Sequence, residues 1–108
     1  MEVPRENDSG GDPDGSSGID LDRLAYCVAI AETGDCTRGI GPRTNNCHGV
    51  MKAGKPVYFA SKQESYDRFK EIWQKGYGGY PTLEQAQVYT GNDHPETWLS
   101  NVRACLEG

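Results

Sequence analysis

Apolar residues run unbroken from Leu24 to Ala31 (LAYCVAIA), eight positions with no polar residue on any face. A helix that is apolar all round belongs in the middle of a core. The run therefore predicts a central buried helix from Ile19 or Leu21 to Thr33, with Asp20 placed to cap its start and Gly34 to end it. Residues 34–56 then carry five Gly, two Pro and two Asn. That predicts an irregular segment, and long ordered loops in small domains are usually functional. Val57-Tyr58-Phe59-Ala60 is a short apolar run suited to an extended piece. Three more helices have readable starts. Ser61-Lys62-Gln63-Glu64 is a capping box, and behind it Tyr66, Phe69, Ile72 and Trp73 share one helical face. The break GYGGYP ends that helix. Thr82-Leu83-Glu84-Gln85 repeats the box and opens a short helix to about Tyr89. Asp93-His94-Pro95-Glu96 opens the last helix, with Pro95 early, where its missing N–H does no harm. Trp98, Leu99, Val102, Cys105 and Leu106 form its inner stripe. The pattern predicts a mainly α domain of about four helices around a central one, with minimal or no β structure.

The polar remainder sets the boundaries. The first 18 of the 108 residues hold five acids, one Arg, four Gly and two Pro, with Met1 and Val3 as the only apolar positions. Such a stretch cannot bury enough surface to order itself, so 1–18 is expected to be a disordered acidic tail or linker and 19–108 the folding unit. No leader segment is read after Met1, because acids follow it instead of a basic start and an apolar run. The net charge of −5 lies mostly in the tail, and the folding unit keeps eleven acids against ten bases. Without a Lys/Arg stripe, a basic nucleic-acid footprint is not expected. The eight-residue apolar run is far short of the roughly 20 residues that cross a bilayer.

Four cysteines, Cys27, Cys36, Cys47 and Cys105, suggest a disulfide framework and an oxidising compartment. Three pairings are open. The preferred one joins Cys36 to Cys47 across a short loop and Cys27 to Cys105 between the first and last helices. No two cysteines have the close spacing of a zinc knuckle, so neither a metal nor a cofactor is expected.

Glu32 follows the apolar run directly and precedes the Gly34 break. Burial and the negative end of the helix dipole both disfavour its charged form, as a general acid working near neutral pH requires. The competing reading is a carboxylate at a frayed helix end, pointing to water.

Ala29-Ile30-Ala31-Glu32-Thr33-Gly34, followed by Asn45-Asn46-Cys47-His48-Gly49-Val50-Met51-Lys52, resembles the lysozyme-like glucosaminidases of bacterial autolysins and flagellar muramidases, and the related lytic transglycosylases. Glu64-Ser65-Tyr66 and Tyr89 to Pro95 continue the likeness in order, over roughly residues 22–106. The resemblance implies a small, disulfide-stabilised lysozyme-like fold and cleavage of the β-1,4 bond between N-acetylmuramic acid and N-acetylglucosamine in peptidoglycan. It makes Glu32 the catalytic acid and Tyr89 a tyrosine lining the site that steadies developing charge. Asn45, Asn46 and Gly49 would shape the cleft floor. It also implies an extracellular, periplasmic or wall-associated setting, and a monomer is expected. Thr33 departs from the usual Ser, and His48 stands where an apolar residue is common. The stretch after Met51 holds no acid, although family members with a second carboxylate carry it there.

Hydrolysis by a carboxylate pair needs a second acid about 5–9.5 Å away, depending on stereochemistry. Asp35, Glu64 and Asp93 are the candidates, the last two also being explained as helix caps. A transglycosylase needs none, because the sugar's own 6-hydroxyl attacks. Two readings stand for His48: a bond to a sugar hydroxyl, or a plain loop residue. Tyr77, Tyr80 and Tyr89 have faces suited to a pyranose ring, or pack within their own loop. Trp73 and Trp98 are expected in the core, and His94 is expected to be structural. A Cys47–His pair would be a catalytic alternative only if Cys47 were free. The contrasting function classes are an inactive wall-binding or virion module on the same scaffold, and a disulfide-rich inhibitor or toxin, which leaves Glu32 unexplained.

Overall fold

A computed structural model describes residues 19–108; the tail expected over 1–18 lies outside them. The elements are α1 (Leu21–Thr33), α2 (Gly41–Thr44), β1 (Met51–Lys52), β2 (Lys55–Pro56), α3 (Lys62–Gly76), α4 (Leu83–Tyr89) and α5 (Pro95–Glu107). The described chain is a mainly helical domain stapled by two disulfides.

Local chemistry explains the ends of these helices. Asp20 accepts hydrogen bonds from the Asp22 and Arg23 amides at 3.0 and 3.2 Å and so caps α1. Gly34, left-handed at φ 58°, ends it. Ser61 caps α3 through the Glu64 amide, while the Glu64 carboxylate reaches past the cap to the Ala60 amide at 2.8 Å. Thr82 and Gln85 close a reciprocal box at the head of α4. Asp93 is not a cap. The residue before α5 is His94, itself left-handed and without a side-chain capping bond, with Pro95 as the first helical residue.

The core joins Leu24, Ala25, Cys27 and Val28 of α1 to Phe69 and Trp73 of α3, Ala86 of α4, and Trp98, Leu99 and Val102 of α5. α5 packs along α1 and against α4, and α3 packs on α1. Burying each large apolar side chain here contributes roughly 1.5–3 kcal/mol. The expectation of a first helix buried all round needs correction. Tyr26 and Ile30, one turn apart on α1, are 43% and 36% exposed. Both tryptophans are in the core as expected, and the Trp73 ring stacks on Tyr77 with centroids 4.7 Å apart.

The disulfides are Cys27–Cys105, between α1 and α5, and Cys36–Cys47, across the irregular segment. Two such bonds suggest an oxidising environment. With Cys47 bonded, a thiolate–His pair is ruled out. Among the described residues no helix is long and apolar enough to cross a membrane, and no cluster of His, Cys, Asp and Glu has the makings of a metal site.

Residues 34–60 are more regular than their composition predicts. They contain the short helix α2 and a two-residue antiparallel hairpin, β1–β2. The hairpin precedes the run Val57–Ala60, which instead continues it through single backbone bonds, Val57 to Val50 and Phe59 to Thr44. Asn46, fully buried, organises this region. Its Nδ2 donates to the Val50 and Val57 carbonyls at 2.7 and 3.0 Å, and its Oδ1 accepts from the Val50 amide at 3.0 Å.

Candidate active site

Glu32 occupies the last turn of α1, half-buried, where the helix dipole works against its charge. Burial raises its pKa above the ordinary carboxylate value; the Trp98 hydrogen bond and the Arg38 cation oppose that rise, and the Asp93 charge adds to it. The Trp98 indole Nε1–H donates to Glu32 Oε2 at 2.9 Å. The other oxygen, Oε1, lies over Gly49, so close that a Cβ built on that glycine would stand 2.8 Å away. Gly49 also has φ 69°, a conformation that favours glycine.

The scaffold of this contact starts one residue later. Thr33, buried, donates from Oγ1 to the Cys47 carbonyl at 2.9 Å and accepts from the Cys36 amide at 2.8 Å. The Cys36–Cys47 bond closes the same loop covalently. The turn carrying Glu32 and the strand of chain ending at Gly49 are thus joined twice.

Glu32 opens on a pocket of about 310 Å³, also lined by Gly49, Met51, Tyr89, Asp93, Trp98 and Asn101. Met51 stands at this pocket 56% exposed. The Tyr89 hydroxyl donates to the His48 carbonyl at 2.6 Å, tying α4 to the segment before Gly49. Burial holds that phenol well above its usual range, and the nearby Glu32 charge adds to the effect.

The remaining expected site residues lie elsewhere. Asn45 donates to the Phe59 carbonyl at 3.1 Å and Asn46 braces the hairpin, so both shape the region beside the pocket without lining it. His48 is fully buried. Its Nε2 lies 2.9 Å from the Ala25 carbonyl and its Nδ1 2.7 Å from Ser65 Oγ. A carbonyl only accepts, which puts the ring proton on Nε2 and makes Nδ1 the acceptor of the serine proton. Ser65 in turn accepts from the Cys47 amide at 3.0 Å. Both ring nitrogens are used inside the core, so His48 has none left for a sugar hydroxyl. Burial lowers its pKa to about 4, against the opposing effects of the Ala25 bond and the Asp35 charge. Tyr77 stacks on Trp73, and Tyr80 donates to Glu107 at 2.7 Å under the Arg103 guanidinium; neither lines the Glu32 pocket.

Of the three other acids considered, only Asp93 lines that pocket. Burial pushes the Asp35 carboxyl up, but hydrogen bonds from Lys62 at 2.8 Å and from the Tyr66 hydroxyl outweigh it and hold the group below its usual value. Glu64 is occupied at the head of α3. Trp98 is the residue that sequence reasoning assigned to the core alone. Its place on the inner stripe is visible in the sequence, whereas the direction of its N–H is not. Comparison of the chain with protein-family models, curated proteins and solved structures finds no match.

Proposed function

We propose that this domain is a lysozyme-like enzyme that cleaves the glycan strands of peptidoglycan, with Glu32 as the general acid. The observation that carries the reading is the Glu32 carboxyl itself: its pKa raised by burial, one oxygen held by Trp98, the other beside Gly49, in a residue that lines a pocket. A carboxyl that holds its proton above the ordinary carboxylate range is the kind of group that serves as the acid in glycosidic cleavage. Glu32 gives its proton to the bridging oxygen as the C1–O bond breaks, and the bonding pair leaves with that oxygen. The carboxylate then takes back a proton from the attacking hydroxyl, which is either water or the 6-hydroxyl of the same sugar. The half-buried Tyr89 and the pocket wall from Asp93 to Asn101 frame the space in which the sugar ring would sit.

Mass spectrometry of purified peptidoglycan incubated with the protein tests this. Fragments ending in 1,6-anhydromuramic acid identify the intramolecular route, and reducing ends one water heavier identify hydrolysis. Wild-type protein that produces neither, or Glu32→Gln protein that still produces either, overturns the assignment.

A further inference from the structure

We infer that Trp98 is a positioning residue that fixes which oxygen of Glu32 carries the transferable proton: Oε2 is held as the acceptor of the indole N–H, and in the protonated acid the proton resides on Oε1, the oxygen beside Gly49. This rests on Glu32 being the acid of the proposed reaction.

The argument begins with what an indole can do. Its N–H only donates, and when buried it needs an acceptor. Trp98 is 6% exposed and its N–H finds Glu32 Oε2 at 2.9 Å. A neutral carboxyl has one hydroxyl oxygen and one carbonyl oxygen, and the carbonyl oxygen is the better acceptor. The N–H therefore selects Oε2 as the carbonyl oxygen and leaves the hydroxyl on Oε1.

The indole itself is fixed. It belongs to the core, and its ring lies 5.3 Å from that of Tyr89, centroid to centroid. Rotation of the carboxyl to exchange its oxygens would break the only side-chain hydrogen bond it makes among the described residues. On the other side, the missing Cβ of Gly49 leaves the space that Oε1 uses. Immobilising a reacting atom to within a fraction of an ångström is a known source of rate.

The charged groups that bear on the carboxyl are Arg38 from the loop after α1 and Asp93 from the turn before α5, and the Tyr89 phenol of α4 senses its charge in return. None of the three donates a hydrogen bond to it, so among the described residues the indole is the one side-chain donor that distinguishes its two oxygens.

The test is an NMR titration of protein carrying 13C at the Glu carboxyls and 15N at the indoles. The expected result is that the Trp98 indole resonance moves with pH with the same midpoint as the Glu32 carboxyl. In Glu32→Gln that movement disappears. In Trp98→Phe the Glu32 midpoint rises, because a bond favouring the charged form is gone. The same variant is expected to lower kcat on glycan by on the order of tenfold to a hundredfold with KM within about threefold. An indole resonance that ignores the Glu32 titration overturns the inference. So does an unchanged Glu32 midpoint in Trp98→Phe. If that variant fails to fold, the wild-type and Glu32→Gln titrations decide alone. Coupled titration in a protein that cuts no glycan supports the proton placement and overturns only the substrate reading; cleavage without coupling overturns the placement and leaves the enzyme.

Discussion

Gly49 faces Glu32 so closely that a methyl group on it would stand 2.8 Å from Oε1 and 3.1 Å from Cδ. The carboxyl has little room to retreat, because Trp98 holds its other oxygen. Gly49→Ala is therefore expected to combine a left-handed backbone penalty of about 1–2 kcal/mol with displacement of the acid. Glycan cleavage should fall by roughly a hundredfold or more, the scale at which general acids contribute. Gly54 supplies the control. It sits in the hairpin turn at φ 76° with nothing within 4 Å of its missing Cβ. Gly54→Ala should lower the melting temperature comparably and leave cleavage intact. Equal loss of activity in both variants would show that strain alone matters and that the Glu32 contact does not.

Asp93 and Asp35 make opposite predictions. Asp93 lines the pocket and its charge raises the Glu32 pKa. Replacing it by Asn removes that repulsion, so Glu32 loses its proton at lower pH and the alkaline limb of the activity profile moves down. If water is the attacking group, Asp93 is the second carboxylate at the pocket that can stabilise the developing positive charge while Glu32 takes the water proton, and Asp93→Asn should remove cleavage. If the 6-hydroxyl attacks, the variant should keep cleavage with only the shifted limb. Asp35 is clamped by Lys62 and Tyr66 away from the pocket lining. Asp35→Asn should cost stability and change the pH profile little. A profile that shifts with Asp35 and not with Asp93 would contradict this assignment.

What could be read from the chain and what could not divide along physical lines. Asp20, Thr82 with Gln85, and Gly34 act within a turn of their own helix, so local pattern suffices to place them. The disulfide pairing follows from which loops are short and which helices lie first and last. The hairpin depends on buried Asn46 bonding to chain up to eleven residues away, which no local pattern encodes. Asp93 looked like a cap by residue type, but the chain turns left-handed at His94 and puts the helix start one residue later. His48 shows the same limit. A histidine in a Gly-rich loop reads as available, and only the approach of Ala25 and Ser65 from distant segments reveals that it is spent in the core.

The buried state of His48 gives the fold a pH dependence of definite sign. The unfolded imidazole titrates near its ordinary 6.5, whereas burial lowers the folded value to about 4. Between these values the unfolded chain binds a proton that the folded one refuses. The contribution is complete above about pH 6.5, declines as pH falls toward 4, and amounts to roughly 3 kcal/mol over that window. Asp35, held below its usual value, contributes in the same direction at lower pH, and Glu32, held above, opposes both. The His48 part is isolated by His48→Gln, whose amide can donate to Ala25 and accept from Ser65 without titrating. Urea unfolding of both proteins from pH 4 to 7 should show a wild-type stability rising more steeply with pH. Parallel curves would mean that His48 does not carry the dependence.

The two disulfides should separate stability from activity. Cys27–Cys105 spans 78 residues and Cys36–Cys47 spans 11. Loop-closure entropy predicts losses of about 4–5 and about 3 kcal/mol on removal, so Cys27→Ala/Cys105→Ala should unfold at lower urea than Cys36→Ala/Cys47→Ala. The order should reverse for cleavage measured well below both transitions. Cys47 is two residues from Gly49, and Cys36 is four from Glu32 in the turn that Thr33 joins to the Cys47 carbonyl. Without that crosslink the Thr33 bond to the Cys47 carbonyl is the direct link left between the turn carrying Glu32 and the segment leading to Gly49, and the acid gains freedom that the reaction does not tolerate. The long-range bond ties α1 to α5, where Arg23 also donates to the Cys105 carbonyl at 2.8 Å and the core packing of Val28 and Val102 remains. Its loss should lower the population of folded protein and leave the folded site competent. Equal activity per folded molecule in the two variants would remove the short disulfide from any role in placing the acid.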